Sequence, residues 1–212
     1  GESMGNVLIL NGSPRAPRSN SKRYAAIFAE SCSCPTESCL ISASNHAELC
    51  SKWNDFSDVL LVFPLYADGI PVSLLNFLKT VEQNPPERKP VVSVLVNCGF
   101  LEYRQNDTAV AMVKLFCRQN GFPFGSVLEI GAGEAILDTP FRGFAARKIR
   151  KLAASVAAGR YCALHATMPL PASLFLKAST KYWLGYGEKN GVTREQMETM
   201  EIEGEQEPPH AL

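Results

Sequence analysis

Between Gly12 and Ser21 the chain gathers three hydroxyls (Ser13, Ser19 and Ser21), one amide (Asn20) and two guanidinium groups (Arg15 and Arg18). Donors of these kinds, beside the backbone N–H groups of a starting helix, are what a phosphate requires. The stretch follows the strand-like run Asn6 to Leu10 and leads into a helical pattern from Ser21 to Ser31. It has no Lys-Ser/Thr ending, which speaks against a nucleotide-hydrolase loop. Taken alone, it also fits an ordinary strand-to-helix connection with a Ser or Asn cap.

Two further segments have related chemistry. Pro64-Leu65-Tyr66-Ala67-Asp68-Gly69-Ile70-Pro71 follows the apolar run Asp58 to Phe63. A stiff loop of this kind can offer N–H groups and an apolar edge to a flat ring; the plain alternative is a β–α connection with a surface Tyr. Asn97-Cys98-Gly99-Phe100, continuing to Glu102 and Asn106, follows the run Val91 to Val96. Cys98 is a conceivable nucleophile, but His46, His165 and His210 fall in none of the strand-end loops, so a Cys–His pair lacks support. Cys32, Cys34, Cys39 and Cys50 follow C-x-C-x4-C-x10-C, without the C-x2-C pairs of a zinc or iron–sulfur site, and no metal centre is expected.

These loops need strands to hold them side by side. Continuous apolar runs at Asn6–Leu10, Asp58–Phe63, Val91–Val96 and Ser126–Ile130, with a weaker one at Cys39–Ser42, predict strands buried on both faces. Helical spacing appears at Ser21–Ser31, Ala47–Trp53, Val72–Val81, Thr108–Gln119 and Gly143–Ala158. The alternation predicts a three-layer α/β sandwich, with a five-stranded parallel sheet in the flavodoxin-like order 2-1-3-4-5. In that order the strand-end loops converge on one crevice, which favours a planar ligand that carries a phosphate. The six-stranded dinucleotide fold would want G-x-G-x-x-G in the first loop, which has one glycine.

The expected domain covers 5–162, with a C-terminal helical extension and tail over 163–212. Pro171 to Leu184 predicts a helix bearing Leu174, Phe175, Ala178 and Tyr182; Asn190-Gly191 reads as a stop, and Thr193 to Gln196 as a capping box. Glu201 to Leu212 is acidic and carries Pro208-Pro209, a composition that predicts disorder.

The balance of 21 basic and 21 acidic residues argues against nucleic-acid binding through a basic face, and against a strongly acidic electron carrier. No apolar run reaches the ~18 residues of a membrane span. Gly1 to Met4 does not begin a signal-peptide pattern, and seven cysteines without an even framework fit a reducing cytoplasm.

N-G-S-P-R-x-x-x-S-N-S resembles the phosphate loop of the flavodoxin-like NAD(P)H-dependent FMN reductases. P-L-Y-A-D-G-I-P is similar to that family's flavin-ring loop, and N-C-G-F-x-E-x-x-Q-N to its third cofactor loop. The resemblance spans about residues 6 to 135. It implies an FMN cofactor with NADH or NADPH as cosubstrate, a small-molecule acceptor and a homodimer. It gives the phosphate to Ser13, Arg15, Ser19, Asn20 and Ser21, and the ring to Pro64, Leu65, Tyr66, Ala67, Asp68 and Gly69. Asn97, Cys98, Gly99 and Phe100 would flank the far edge, with Glu102 and Asn106 nearby. Tyr66 and Asp68 are the expected substrate contacts, and no side chain is expected to act as acid or base. The competing expectation is a flavin-binding electron carrier or sensor; a third is a domain whose pocket stays empty.

Overall fold

The computed structural model describes residues 4–14, 19–67, 69–177 and 181. The elements run β1 (Val7–Asn11), α1 (Asn20–Ser31), β2 (Thr36–Leu40), α2 (His46–Lys52), β3 (Asp58–Pro64), α3 (Val72–Gln83), β4 (Val91–Asn97), α4 (Asp107–Asn120), β5 (Phe124–Ile130), α5 (Arg142–Ala158) and β6 (Ala163–Ala166). The sheet is wholly parallel in the order β2-β1-β3-β4-β5-β6. The expected five strands in the order 2-1-3-4-5 are present, and a sixth extends that edge.

That sixth strand corrects the sequence expectation, which gave residues from 163 onward to a helical extension. Ala163–Ala166 is short and only its last residue is buried, so it lacks the apolar run that marks the central strands. Tertiary bonds recruit it. The Ser126 hydroxyl accepts from the Cys162 N–H at 3.0 Å, and the Val127 N–H donates to the Cys162 carbonyl at 3.0 Å. The other edge shows the same effect: β2 is Thr36–Leu40, not Cys39–Ser42, and its TESCL sequence is largely exposed.

The middle strands form as their composition dictates. Val7, Leu8, Ile9 and Leu10 are fully buried, as are Val59 through Phe63. Burial of each such side chain is worth about 1.5–3 kcal/mol. Leu8, Leu10, Leu61, Val94 and Val127 pack beneath Leu49, Leu74, Phe77 and Val113 of α2, α3 and α4. On the opposite face α1 and α5 lie against each other and on the sheet. The caps follow local chemistry. Ser19 opens α1 by accepting from the Lys22 N–H, and Gly121 and Gly159 close α4 and α5 at φ of 74° and 63°.

The chain divides into two units, Gly1–Met168 and Pro169–Leu212. In the second, residues 172–177 are helical, within the span expected from Pro171 to Leu184. The predicted stop at Asn190-Gly191, the capping box at Thr193–Gln196 and the acidic tail lie outside the described residues. No helix among the described residues is long and apolar enough to cross a membrane.

Candidate functional site

The parallel register brings the strand ends level. Pro64 of β3 pairs with Asn97 of β4, which pairs with Ile130 of β5. The Leu65 N–H then donates to the Asn97 carbonyl at 2.7 Å, and the Cys98 N–H to the Ile130 carbonyl at 3.0 Å. The loops after three neighbouring strands therefore leave the sheet together. The loop after β1 joins them through the Gly12 N–H, which donates to the Val62 carbonyl at 2.9 Å.

In the first loop the Ser13 N–H donates to the Asn11 side-chain carbonyl at 2.9 Å, which folds the chain back over the strand end. Ser13, Ser19 and Ser21 are all buried. The Ser19 oxygen caps the helix at 3.2 Å from the Lys22 nitrogen, and its own O–H remains a donor. The Ser21 hydroxyl oxygen is buried and has no hydrogen-bond partner among the described residues. Asn20 is partly engaged: one amide N–H donates to the Glu134 carbonyl at 3.1 Å, and its oxygen accepts from Arg23 at 3.3 Å. Arg23 also pairs with both Asp138 oxygens, at 2.9 and 3.0 Å. Arg15 and Asp68 lie outside the described residues.

In the second loop Tyr66 and Gly69 exchange both backbone hydrogen bonds at 2.9 Å, closing a tight turn. Ala67 takes a left-handed φ of 45° to make it, a conformation that costs a non-glycine residue about 1 kcal/mol. Pro64 and Leu65 are half-buried below the turn, and Tyr66 is 56% exposed at its edge.

The third loop is bonded to itself. Asn106 is fully buried, and its amide N–H groups donate to the Tyr103 carbonyl at 2.9 Å, the Ile130 carbonyl at 3.3 Å and the Cys98 sulfur at 3.5 Å. The Cys98 thiol in turn reaches the Phe100 and Glu102 carbonyls, both at 3.6 Å. Burial pushes that thiol up to about 11. Enclosed by its own loop and held protonated, this sulfur packs the loop from within. Gly99 and Glu102 are exposed at the loop surface, and Phe100 is 57% exposed.

The sequence reading passed over a fourth loop, after β5. The Gly133 N–H donates to the Cys98 carbonyl at 2.7 Å, and the Gly133 carbonyl accepts from the Tyr24 hydroxyl of α1 at 2.5 Å. A Cβ at Gly133 would lie 2.6 Å from the Asn97 Cβ, so only glycine lets this loop sit against β4. The Asn97 side chain is thereby held between β4 and the loop, and its Nδ2 is buried without a partner. The visible signal was Gly131-Ala-Gly-Glu134 immediately after an apolar strand.

Among the described residues, the buried side-chain atoms without a hydrogen-bond partner include Ser21 Oγ in the first turn of α1 and Asn97 Nδ2 at the end of β4, besides His46 Nε2, Trp53 Nε1, Asn106 Oδ1 and Glu129 Oε2. Buried polar groups are normally satisfied, and an exception calls for an explanation. An oxygen-rich ligand at the strand ends supplies one, and the residues present fit an FMN phosphate and its polar side chain.

No protein-family model matches the sequence, and no curated protein matches it. Solved structures do match. Rubredoxin oxygen:oxidoreductase from Desulfovibrio gigas aligns at 14% identity and a TM-score of 0.57, over 73% of this chain and 36% of that one. This chain thus spans about a third of that protein's length. A flavodoxin from Streptococcus pneumoniae TIGR4 aligns at 12% identity and a TM-score of 0.53, over 73% of this chain and 99% of that one. An FMN-dependent NADH-azoreductase from Bacillus anthracis, in complex with FMN, aligns at 13% identity and a TM-score of 0.56, over 73% of this chain and 100% of that one. The chain has the flavodoxin-like α/β fold that these proteins share. At such identities the likeness is one of fold.

Proposed function

We propose that this protein is an FMN-dependent oxidoreductase that takes hydride from NADH or NADPH and passes electrons to a small acceptor by a ping-pong scheme. The acceptor class is a quinone, a nitro or azo compound, or a free flavin. The observation that carries the reading is the pair of unpartnered buried donors, Ser21 Oγ and Asn97 Nδ2, at level strand ends of a flavodoxin-like sheet. FMN, when bound, supplies the hydride and electron chemistry, and the chain supplies position and electrostatics.

In this reading Ser13, Ser19, Ser21 and Arg15 hold the phosphate at the start of α1, where N–H groups and the helix dipole favour an anion. Asn20 serves by tying α1 to Glu134. The segments from Pro64 to Gly69 and from Asn97 to Phe100 take the ring. Exposed Tyr66 and Phe100 supply aromatic surface, and Tyr66 and Asp68 meet the substrate. Cys98 and Asn106 stiffen the third loop from within. The chain acts as a homodimer; exposed Val72, Met112 and Leu115, with Met112 against Gly69, provide apolar surface beside the ring loop.

An absorbance spectrum of the purified protein, followed by anaerobic titration with NADH and NADPH, tests the reading. The expected result is a yellow protein, or one that takes up added FMN, whose flavin colour is bleached by at least one nicotinamide. Flavin binding without bleaching would assign the carrier or sensor role instead. A colourless protein that does not bind added FMN overturns the proposal.

A further inference from the structure

The far end of α1 has a different chemistry. Cys32 caps the helix, its backbone N–H donating to the Phe28 carbonyl at 2.9 Å. The Pro35 carbonyl accepts from the Val7 N–H at 2.9 Å, at the first residue of β1. The segment from Cys32 to Pro35 is therefore anchored to a helix at one end and a central strand at the other. Between the anchors the Cys32 and Cys34 sulfurs lie 3.3 Å apart. Cys32 is half-buried and Cys34 is buried, so one sulfur is reachable and the second lies behind it. Burial, then the neighbouring Cys32 sulfur, pushes the Cys34 thiol up to about 12, which keeps it protonated until it is needed.

The other cysteines lack this arrangement. Cys39 faces the Glu37 carboxylate at 3.7 Å, Cys98 is enclosed by its own loop, and Cys50 and Cys117 are buried. Cys32, Cys34, Cys39 and Cys50 do not gather into a metal-binding group.

We propose that Cys32 and Cys34 form a reversible dithiol–disulfide site whose oxidant is a peroxide. The Cys32 thiolate attacks one oxygen of hydrogen peroxide and the O–O bond breaks. The products are Cys32 sulfenic acid and a hydroxide, which becomes water with the proton Cys32 released. The Cys34 sulfur then attacks the Cys32 sulfur. The S–O bond breaks, the S–S bond forms, and the leaving hydroxide departs as water with the Cys34 proton. Two thiols and one peroxide give one disulfide and two waters, and an external dithiol reverses the change. The site lies at the amino end of β1, whereas the crevice lies at its carboxyl end, so the proposal stands apart from the flavin reading.

Sequence supplies a clean assay. Cleavage after Glu30 and Glu37 releases Ser31 to Glu37, which carries these two cysteines and no others. Full-length protein treated with hydrogen peroxide, alkylated and digested should show this peptide unalkylated and about 2 Da lighter, with dithiothreitol restoring both alkylation sites. Cys34→Ser should instead leave Cys32 as a sulfenic acid that dimedone labels, and Cys32→Ser should leave Cys34 alkylatable after peroxide. The proposal is overturned if the peptide stays doubly alkylated while other cysteines oxidise. It is also overturned if Cys32 bridges to a different cysteine, or if dimedone does not label Cys34→Ser.

Discussion

The first turn of α1 and the loop after β4 lie at the same end of the sheet and are both rich in polar groups. They use those groups in opposite ways. The β4 loop spends most of its donors on itself and on β5: Asn106 reaches the Tyr103 carbonyl, the Ile130 carbonyl of β5 and the Cys98 sulfur, and Cys98 reaches two more loop carbonyls, while the Asn106 side-chain oxygen is left without a partner among the described residues. The α1 turn keeps Ser21 Oγ buried without a partner, and Asn97 Nδ2 is in the same state at the end of β4. A loop whose donors are taken up internally is held in shape by those bonds. A buried donor with no partner favours a ligand that brings an acceptor.

Breaking the self-bonded loop should have the largest effect. Asn106→Ala removes a donor to the Tyr103 carbonyl and one of the two donors to the Ile130 carbonyl, and empties a fully buried position, and we expect a loss of about 2–3 kcal/mol in urea unfolding. Unchanged stability would show that the loop does not depend on its internal bonds.

Glu129 of β5 sharpens the comparison through pH. Burial first, then Asp107 at the start of α4, pushes its carboxyl up to about 8. Its Oε2 is buried without a partner among the described residues, and the neighbouring Asp107 carboxyl favours the protonated acid. The folded protein binds this proton more tightly than the unfolded chain. The stabilisation is therefore complete below the ordinary carboxyl range and is lost as pH rises toward about 8. The native protein should lose melting temperature between pH 5 and 8, and Glu129→Gln should flatten that fall. An identical pH profile in the variant would remove Glu129 from the account.

On the binding side, Ser21→Ala should leave unfolding within about 0.5 kcal/mol while raising the FMN Kd about tenfold. Equal losses in both would make Ser21 a structural residue. Ser19→Ala should cost about 1 kcal/mol of stability, because its oxygen caps α1, and should weaken FMN as well. The smallest change is Ala67→Gly. It relieves the left-handed φ of 45° and should leave net stability within about 0.5 kcal/mol, because added freedom in the unfolded chain offsets the relief. A shift in acceptor KM with kcat unchanged would tie that turn to substrate.

The four central strands were legible because burial on both faces writes an unbroken apolar run, as in VLIL and DVLLVF. The edges were not. Thr36–Leu40 was shifted and Ala163–Ala166 missed, since an edge strand is held by backbone bonds that leave little trace in side-chain pattern. At the site, loop position and residue type were readable after the first three central strands. Which donors already have partners was not: the Asn20 amide spends one N–H on the Glu134 carbonyl. The β5 loop escaped because glycine chosen for close approach looks, in one dimension, like glycine in any turn.

That Asn20–Glu134 bond joins residues 114 positions apart. The two walls of the crevice come from opposite halves of the folded unit, so no early fragment of the chain contains a complete one. Local hairpins cannot assemble it either, because every strand pairing is parallel and each needs a crossover. Cofactor capture is then a late event in folding. Under the proposed function, a flavin would stabilise only molecules in which β5 has docked.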